Sequence, residues 1–117
     1  MVKISVLMAV HNGEPHVHWA IESILNQTFT DWEFIIIDDG STDGTLDIVN
    51  QYQKTDSRIK AISIARCGQT RALNVGLSNC TGQYIARLDA DDISLDRRLS
   101  LQHQWISSRK NNVLIGC

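Results

Sequence analysis

A chain of 117 residues has room for one domain and one modest core. Hydrophobic residues make up 43% and charged residues 21%, and the net charge is -2. That balance suits a water-soluble globular domain, and it offers no basic field for nucleic acid or an anionic membrane. Arg97, Arg98, Arg109 and Lys110 gather near the end but are interspersed with other residues, so they read as a solvated helix face.

Ile4 to Val10 is a near-continuous apolar run, as expected of a strand covered on both faces, and it is too short to span a membrane. His11-Asn12-Gly13 marks a turn. Pro15 then opens a helix to about Gln27, with Trp19, Ile21, Ile24 and Leu25 as its apolar stripe. Glu33 to Asp38 is a second buried strand, and it ends abruptly in Asp38-Asp39-Gly40-Ser41-Thr42-Asp43-Gly44. Asp43 reads as a cap for a helix from about Thr45 to Lys54, whose candidate core contacts are Leu46, Ile48, Val49 and Tyr52. Ile59 to Ile64 is a third strand, Thr70 to Asn79 a helix, and Tyr84 to Leu88 a fourth strand. Asp89 to Asp92 form an acidic turn. Ser94 caps a helix to about Arg109, and Val113 to Ile115 is a last strand.

Strand and helix alternate throughout. The expected fold is therefore α/β, Rossmann-like, with a mostly parallel sheet, in a single domain covering residues 1–117. Ligands of such sheets bind beyond the carboxyl ends of the strands. Both acidic clusters fall there: Asp38 and Asp39 after the second strand, and Asp89, Asp91 and Asp92 after the fourth.

Carboxylates one residue apart in a turn can face one cleft and repel each other there. A hard divalent cation, Mg2+ or Mn2+, relieves that repulsion and bridges to phosphate oxygens. A helix N-terminus would account for Asp92 alone, but poorly for three carboxylates in four residues. Asp38 and Asp39 form either a plain turn or a base or ribose contact, since a carboxylate accepts from the imide N–H of uracil. The chain has neither G-x-G-x-x-G nor G-x-x-x-x-G-K-[ST], which disfavours dinucleotide dehydrogenases and P-loop NTPases.

Other constellations are weak. Cys67, Cys80 and Cys117 are odd in number and widely spaced, with no C-x-x-C. They point away from a disulfide framework or zinc site and towards a reducing compartment. His16 and His18 fall on different helix faces, so neither they nor His11 and His103 suggest a metal centre. Trp19, Trp32 and Trp105 read as core or interface packing. A phosphoacceptor receiver domain has a similar length and alternation, but it needs an acidic pair after the first strand, where this chain has Ala9-Val10-His11.

Taken together, ISVLMAVHNG (4–13), AIESILNQTF (20–29), FIIIDDGSTD (34–43), GQTRALNVGL (68–77) and GQYIARLDADDISL (82–95) resemble the family-two inverting glycosyltransferases of GT-A fold, in order and spacing. The resemblance runs over essentially the whole chain. It implies the donor-binding portion of a GT-A domain that transfers a sugar, with inversion, from a nucleotide-diphospho-sugar to an acceptor hydroxyl. A UDP-sugar is the implied donor, with Mn2+ or Mg2+ as cofactor. Ala9, Val10 and His11 would line the nucleotide pocket. Asp39 would bind the base, with Asp38 nearby, and Arg71 would face the nucleotide. Asp89 would contact ribose or the metal-bound diphosphate, and Asp91 would be the main metal ligand of the DxD motif, with Asp89 beside it.

Ala9 and His11 stand where relatives often have proline and tyrosine, which implies retuned affinity. Asp96 stands where proline is common. The family's base lies well after the DxD motif and would be expected beyond Cys117, so no catalytic residue is assigned and the chain reads as truncated. The competing reading is a binding-only module, or a half-domain needing a partner chain. A cytoplasmic location, including the cytoplasmic face of the membrane, is implied. An exposed sheet edge further implies self-association into a homo-oligomer.

Overall fold

The computed structural model describes residues 2–91, 97–107 and 114–115. In chain order the elements are β1 (Ile4–Val10), α1 (Val17–Leu25), β2 (Trp32–Asp39), α2 (Thr45–Thr55), β3 (Ile59–Ile64), α3 (Gln69–Asn79), β4 (Tyr84–Arg87), α4 (Arg98–Ser107) and β5 (Leu114–Ile115). Among the described residues the strands form a five-stranded sheet, ordered β3-β2-β1-β4-β5, with every pairing parallel. The expected α/β alternation is present.

The two central strands account for their apolar runs. Every residue of β2 is buried, and β1 is buried at all but one position. Ile4, Val6 and Met8 of β1 join Phe34 and Ile36 of β2 in a core with Ala20, Ile21 and Ile24 of α1, Val49 of α2 and Leu99 of α4. Leu7, Ile35 and Ile37 point the other way, into a smaller core with Ala72 of α3. The two-residue period of the strands thus feeds helices on both faces. Each buried isoleucine or leucine contributes roughly 1.5–3 kcal/mol. α3 lies very close to the sheet, since a Cβ on Gly76 would collide with Leu7 Cδ1 and approach Ile37 Cγ1 to 3.2 Å.

A polar network ties the amino ends of the strands together. Glu33, 3% exposed, accepts from Ser5 Oγ at 2.6 Å, Thr81 N at 2.7 Å, Thr81 Oγ1 at 3.0 Å and Lys60 Nζ at 3.1 Å. Ser5 Oγ in turn accepts from Gly82 N at 2.8 Å. Burial alone would raise the Glu33 pKa, but the bonds from Ser5, Thr81 and Lys60 outweigh it and hold the carboxyl below its ordinary 4.5. This satisfied charge joins β1, β2 and β3 to the turn that starts β4.

The first helix departs from expectation. It begins at Val17, because His16 N and Val17 N both donate to Gly13 O, at 2.9 and 2.8 Å, and close a turn around Pro15. Its buried stripe is Val17, Ala20, Ile21 and Ile24, while Trp19 is 53% exposed. At about 100° per residue Trp19 falls nearly opposite Val17, so it does not belong to the stripe. Trp32 does sit in the core, 1% exposed, with the Arg58 guanidinium 3.8 Å from its ring centroid. The helix expected from Ser94 is described from Arg98, and Ser94, Asp96, Arg109 and Lys110 lie outside the described residues. Arg98 is more than a solvated charge, because its Nη2 donates to Arg87 O at 2.7 Å.

Candidate functional site

From β1 the chain moves outward to β2 and β3, then returns with β4 on the other side of β1. At that reversal the connecting loops diverge and leave a crevice at the carboxyl ends of the strands. A cavity of about 510 Å³ opens there, within the ordinary range for a small-molecule site. β1 and the turn after it contribute Ala9, Val10, His11, Asn12 and Gly13, and β2 contributes Asp39. Arg66 and Gln69 come from beyond β3, Asp89, Ala90 and Asp91 from beyond β4, and His16 from just before α1.

The walls are locked to each other. Asn12 takes a left-handed conformation, φ 52°, which asparagine tolerates better than most residues. Its Oδ1 accepts from Thr42 N at 2.8 Å and Asp43 N at 3.4 Å, and its own N donates to Ser41 Oγ at 2.9 Å. Gly13 N donates to Thr45 Oγ1 at 2.9 Å, and Gly44 N donates to Glu14 Oε1 at 2.7 Å. Asp43 Oδ1 accepts from Thr45 N at 3.0 Å, so it caps the start of α2 from one residue further out than a standard cap. The loops after β1 and β2 therefore form one unit.

His11 ties that unit to the sheet. Its Nδ1 lies 2.8 Å from Asp39 O, and a carbonyl oxygen only accepts, so Nδ1 carries the hydrogen. Nε2 is then left to accept from Asn12 Nδ2 at 3.3 Å. The Asn12 amide is oriented by the backbone donors on its oxygen, so the partners select this histidine tautomer.

Asp39 is 1% exposed, and its carboxylate holds the loop after β3. Oδ1 accepts from Cys67 N at 2.8 Å. Oδ2 accepts from Gly68 N at 3.1 Å and from Arg66 Nη1 at 2.7 Å. Burial pushes its pKa up, but the two backbone N–H groups and the Arg66 charge prevail and hold it below 3.8. Gly40 makes the close approach possible. Its φ is +64°, and a Cβ there would lie 2.7 Å from Arg66 N.

Asp38 and Arg71 do not line the cavity. Asp38 is 2% exposed and alternates with Asp39 along β2, so it faces the opposite layer. Its Oδ1 finds no hydrogen-bond partner among the described residues. Arg71 is exposed on the first turn of α3. The arginine that reaches the cavity is Arg66. It stands two residues past the end of β3, a strand-end position that the same reasoning applied to β2 and β4 could have picked out.

Beyond β4, Asp89 is half-exposed and pairs with Arg87 Nη2 at 3.2 Å, and Asp91 is exposed. Asp92 lies outside the described residues. No group of three metal-ligating side chains occurs among the described residues. The donor set that is present, two carboxylates in an open cleft, fits a magnesium-like cation. Such an ion takes one or two carboxylates and completes its shell with water and phosphate oxygens. Among the described residues, no helix is long and apolar enough to cross a membrane.

The profile of Glycosyl transferase family 2 matches residues 5–117. EpsE of Bacillus subtilis (strain 168) is 44% identical over 116 residues, covering 97% of this chain and 42% of EpsE. The O-antigen biosynthesis glycosyltransferase WbnJ of Escherichia coli is 40% identical over 106 residues, covering 88% of this chain and 41% of WbnJ. Among solved structures, TarS of S. aureus in complex with UDP-GlcNAc superposes with a TM-score of 0.86 at 27% identity, over 92% of this chain and 32% of that one. The chain thus spans less than half the length of these relatives, matching the GT-A portion of TarS. With the parallel sheet, the strand-end cleft and the profile match in agreement, this chain belongs to glycosyl transferase family 2.

Proposed function

We propose that this chain is the donor-binding part of a glycosyltransferase that uses a nucleotide-diphospho-sugar, specifically a UDP-sugar, together with Mn2+ or Mg2+. One observation carries the reading: Asp39 from β2 and Asp89 and Asp91 from beyond β4 line a single cleft at the switch point of the sheet. The complex of TarS with UDP-GlcNAc supports the choice of donor. In this reading Ala9, Val10 and His11 form the floor under the nucleoside, and Asp39 accepts from the imide N–H of the base. Asp89 and Asp91 hold the cation, which when bound neutralises charge on the departing diphosphate. Asp89 and Asp91 would reach that diphosphate through the cation, and inversion would require the acceptor hydroxyl to approach the sugar from the side opposite the leaving group.

No residue of this chain is assigned as the base that deprotonates the acceptor. Asp38 and Arg71 lie outside the cleft lining, so any part they take in donor binding is indirect; a cytoplasmic location and association into a homo-oligomer complete the proposal. Calorimetric titration with UDP, with and without Mn2+, tests donor binding. The expected result is binding that strengthens with the cation, and a flat titration under both conditions would overturn it. A parallel assay of donor hydrolysis or sugar transfer distinguishes an active module from one that only binds.

A further inference from the structure

Most of the hydrogen-bonding capacity of Asp39 is already taken by its own chain. A carboxylate offers about four lone-pair sites. Three donors occupy three of them here: Cys67 N on Oδ1, and Gly68 N and Arg66 Nη1, which together fill Oδ2. The two backbone donors are fixed in the loop that leads into α3, which rests against Gly40. Arg66 differs from them. Its side chain is 55% exposed against 2% for Asp39, and both residues line the cleft. The movable guanidinium is thus the lid on an otherwise buried carboxylate.

We propose that Arg66 is an internal competitor for the donor's base: it closes the Asp39 carboxylate in the empty cleft and leaves it when the base binds. This rests on the reading of Asp39 as the base-binding residue. The exchange replaces one donor on Oδ2 by another. A guanidinium–carboxylate contact is stronger than a neutral N–H contact, but a half-exposed arginine recovers much of its hydration on leaving, so the difference is small enough for a ligand to overcome. While Arg66 is seated, only a fraction of molecules can receive a base, and the apparent affinity falls by that fraction. Arg66 therefore tunes donor affinity downward and makes base binding sensitive to salt, which weakens the partly exposed ion pair.

Uridine is the discriminating probe, because it carries no phosphate for Arg66 to attract. Its affinity is measured by calorimetry for the wild type, Arg66→Gln and Arg66→Ala, at low and high salt. The expected order is alanine tightest, glutamine intermediate and wild type weakest, with the extremes about three- to tenfold apart. Salt should tighten uridine binding to the wild type and leave the alanine variant unchanged. Equal or weaker binding by both variants would overturn the proposal. Thermal melting provides a second reading, since Arg66→Ala can also loosen the loop. A larger rise in Tm on adding uridine than the wild type shows supports competition, and an equal or smaller rise opposes it. If the wild type itself fails to bind UDP with Mn2+, the donor reading fails. If it binds and the variants show no gain, only the role of Arg66 fails.

Discussion

At the scale of single residues, Asp39 has two tasks that compete. It anchors the loop after β3 through Cys67 N and Gly68 N, and in the proposed reading it also receives the base. Asp39→Ala should weaken uridine nucleotides more than it weakens inorganic diphosphate, and equal losses in parallel titrations would count against base recognition. A strand that ends in two aspartates made the position legible as a contact point. The ownership of that carboxylate by residues 66–68 was not legible, because it depends on the left-handed turn at Gly40 and on how far the loop folds back. Arg71 shows the same limit. An arginine in a helix's first turn can point anywhere around the axis; this one is exposed and outside the cleft lining, close enough for its charge to act on Cys67.

At the scale of elements, the strands were easier to read than the helix starts. The apolar runs of β1, β2 and β3 mark their positions because both faces of the sheet are covered. The start of α1 depends instead on the turn closed at Gly13 O, and the exposure of Trp19 follows from helical phase rather than hydrophobicity. Gly76→Ala should cost about 1–3 kcal/mol by forcing α3 off Leu7 and Ile37, as measured by chemical denaturation. Glu33→Gln should cost about 1–3 kcal/mol, because an amide cannot accept all of the bonds that Ser5, Thr81 and Lys60 now make to the carboxylate. The pH dependence has a definite sign. The folded-state pKa of Glu33 is depressed, so its contribution is present above 4.5 and is lost as pH falls through the lower folded value. The glutamine variant should therefore lose less stability than the wild type on acidification below pH 4.5, and parallel denaturation curves at each pH check this.

At the scale of the whole molecule, the alternation of strands and helices implied a parallel sheet, but alternation by itself says nothing of strand order. That order places β4 beside β1 and brings the two acidic segments into one cleft, although Asp39 and Asp89 lie 50 positions apart in the chain. The sheet's edges differ. On β3, Ala61 N already donates to Gln53 Oε1 at 2.7 Å, and Lys60 stands beside it, so this edge is blunted. Under the proposed association into a homo-oligomer, light scattering should report a mass above 13.1 kDa, and a clean monomer would contradict it.

The cation-assisted donor cleft stands or falls with Asp91, so Asp91→Ala is the decisive variant. Asp91 is exposed, so its loss should leave the fold intact. Calorimetry with UDP in the presence of Mn2+ should show that the variant has lost the metal-dependent part of the affinity. Affinity equal to that of the wild type, with the same dependence on Mn2+, would contradict the assignment.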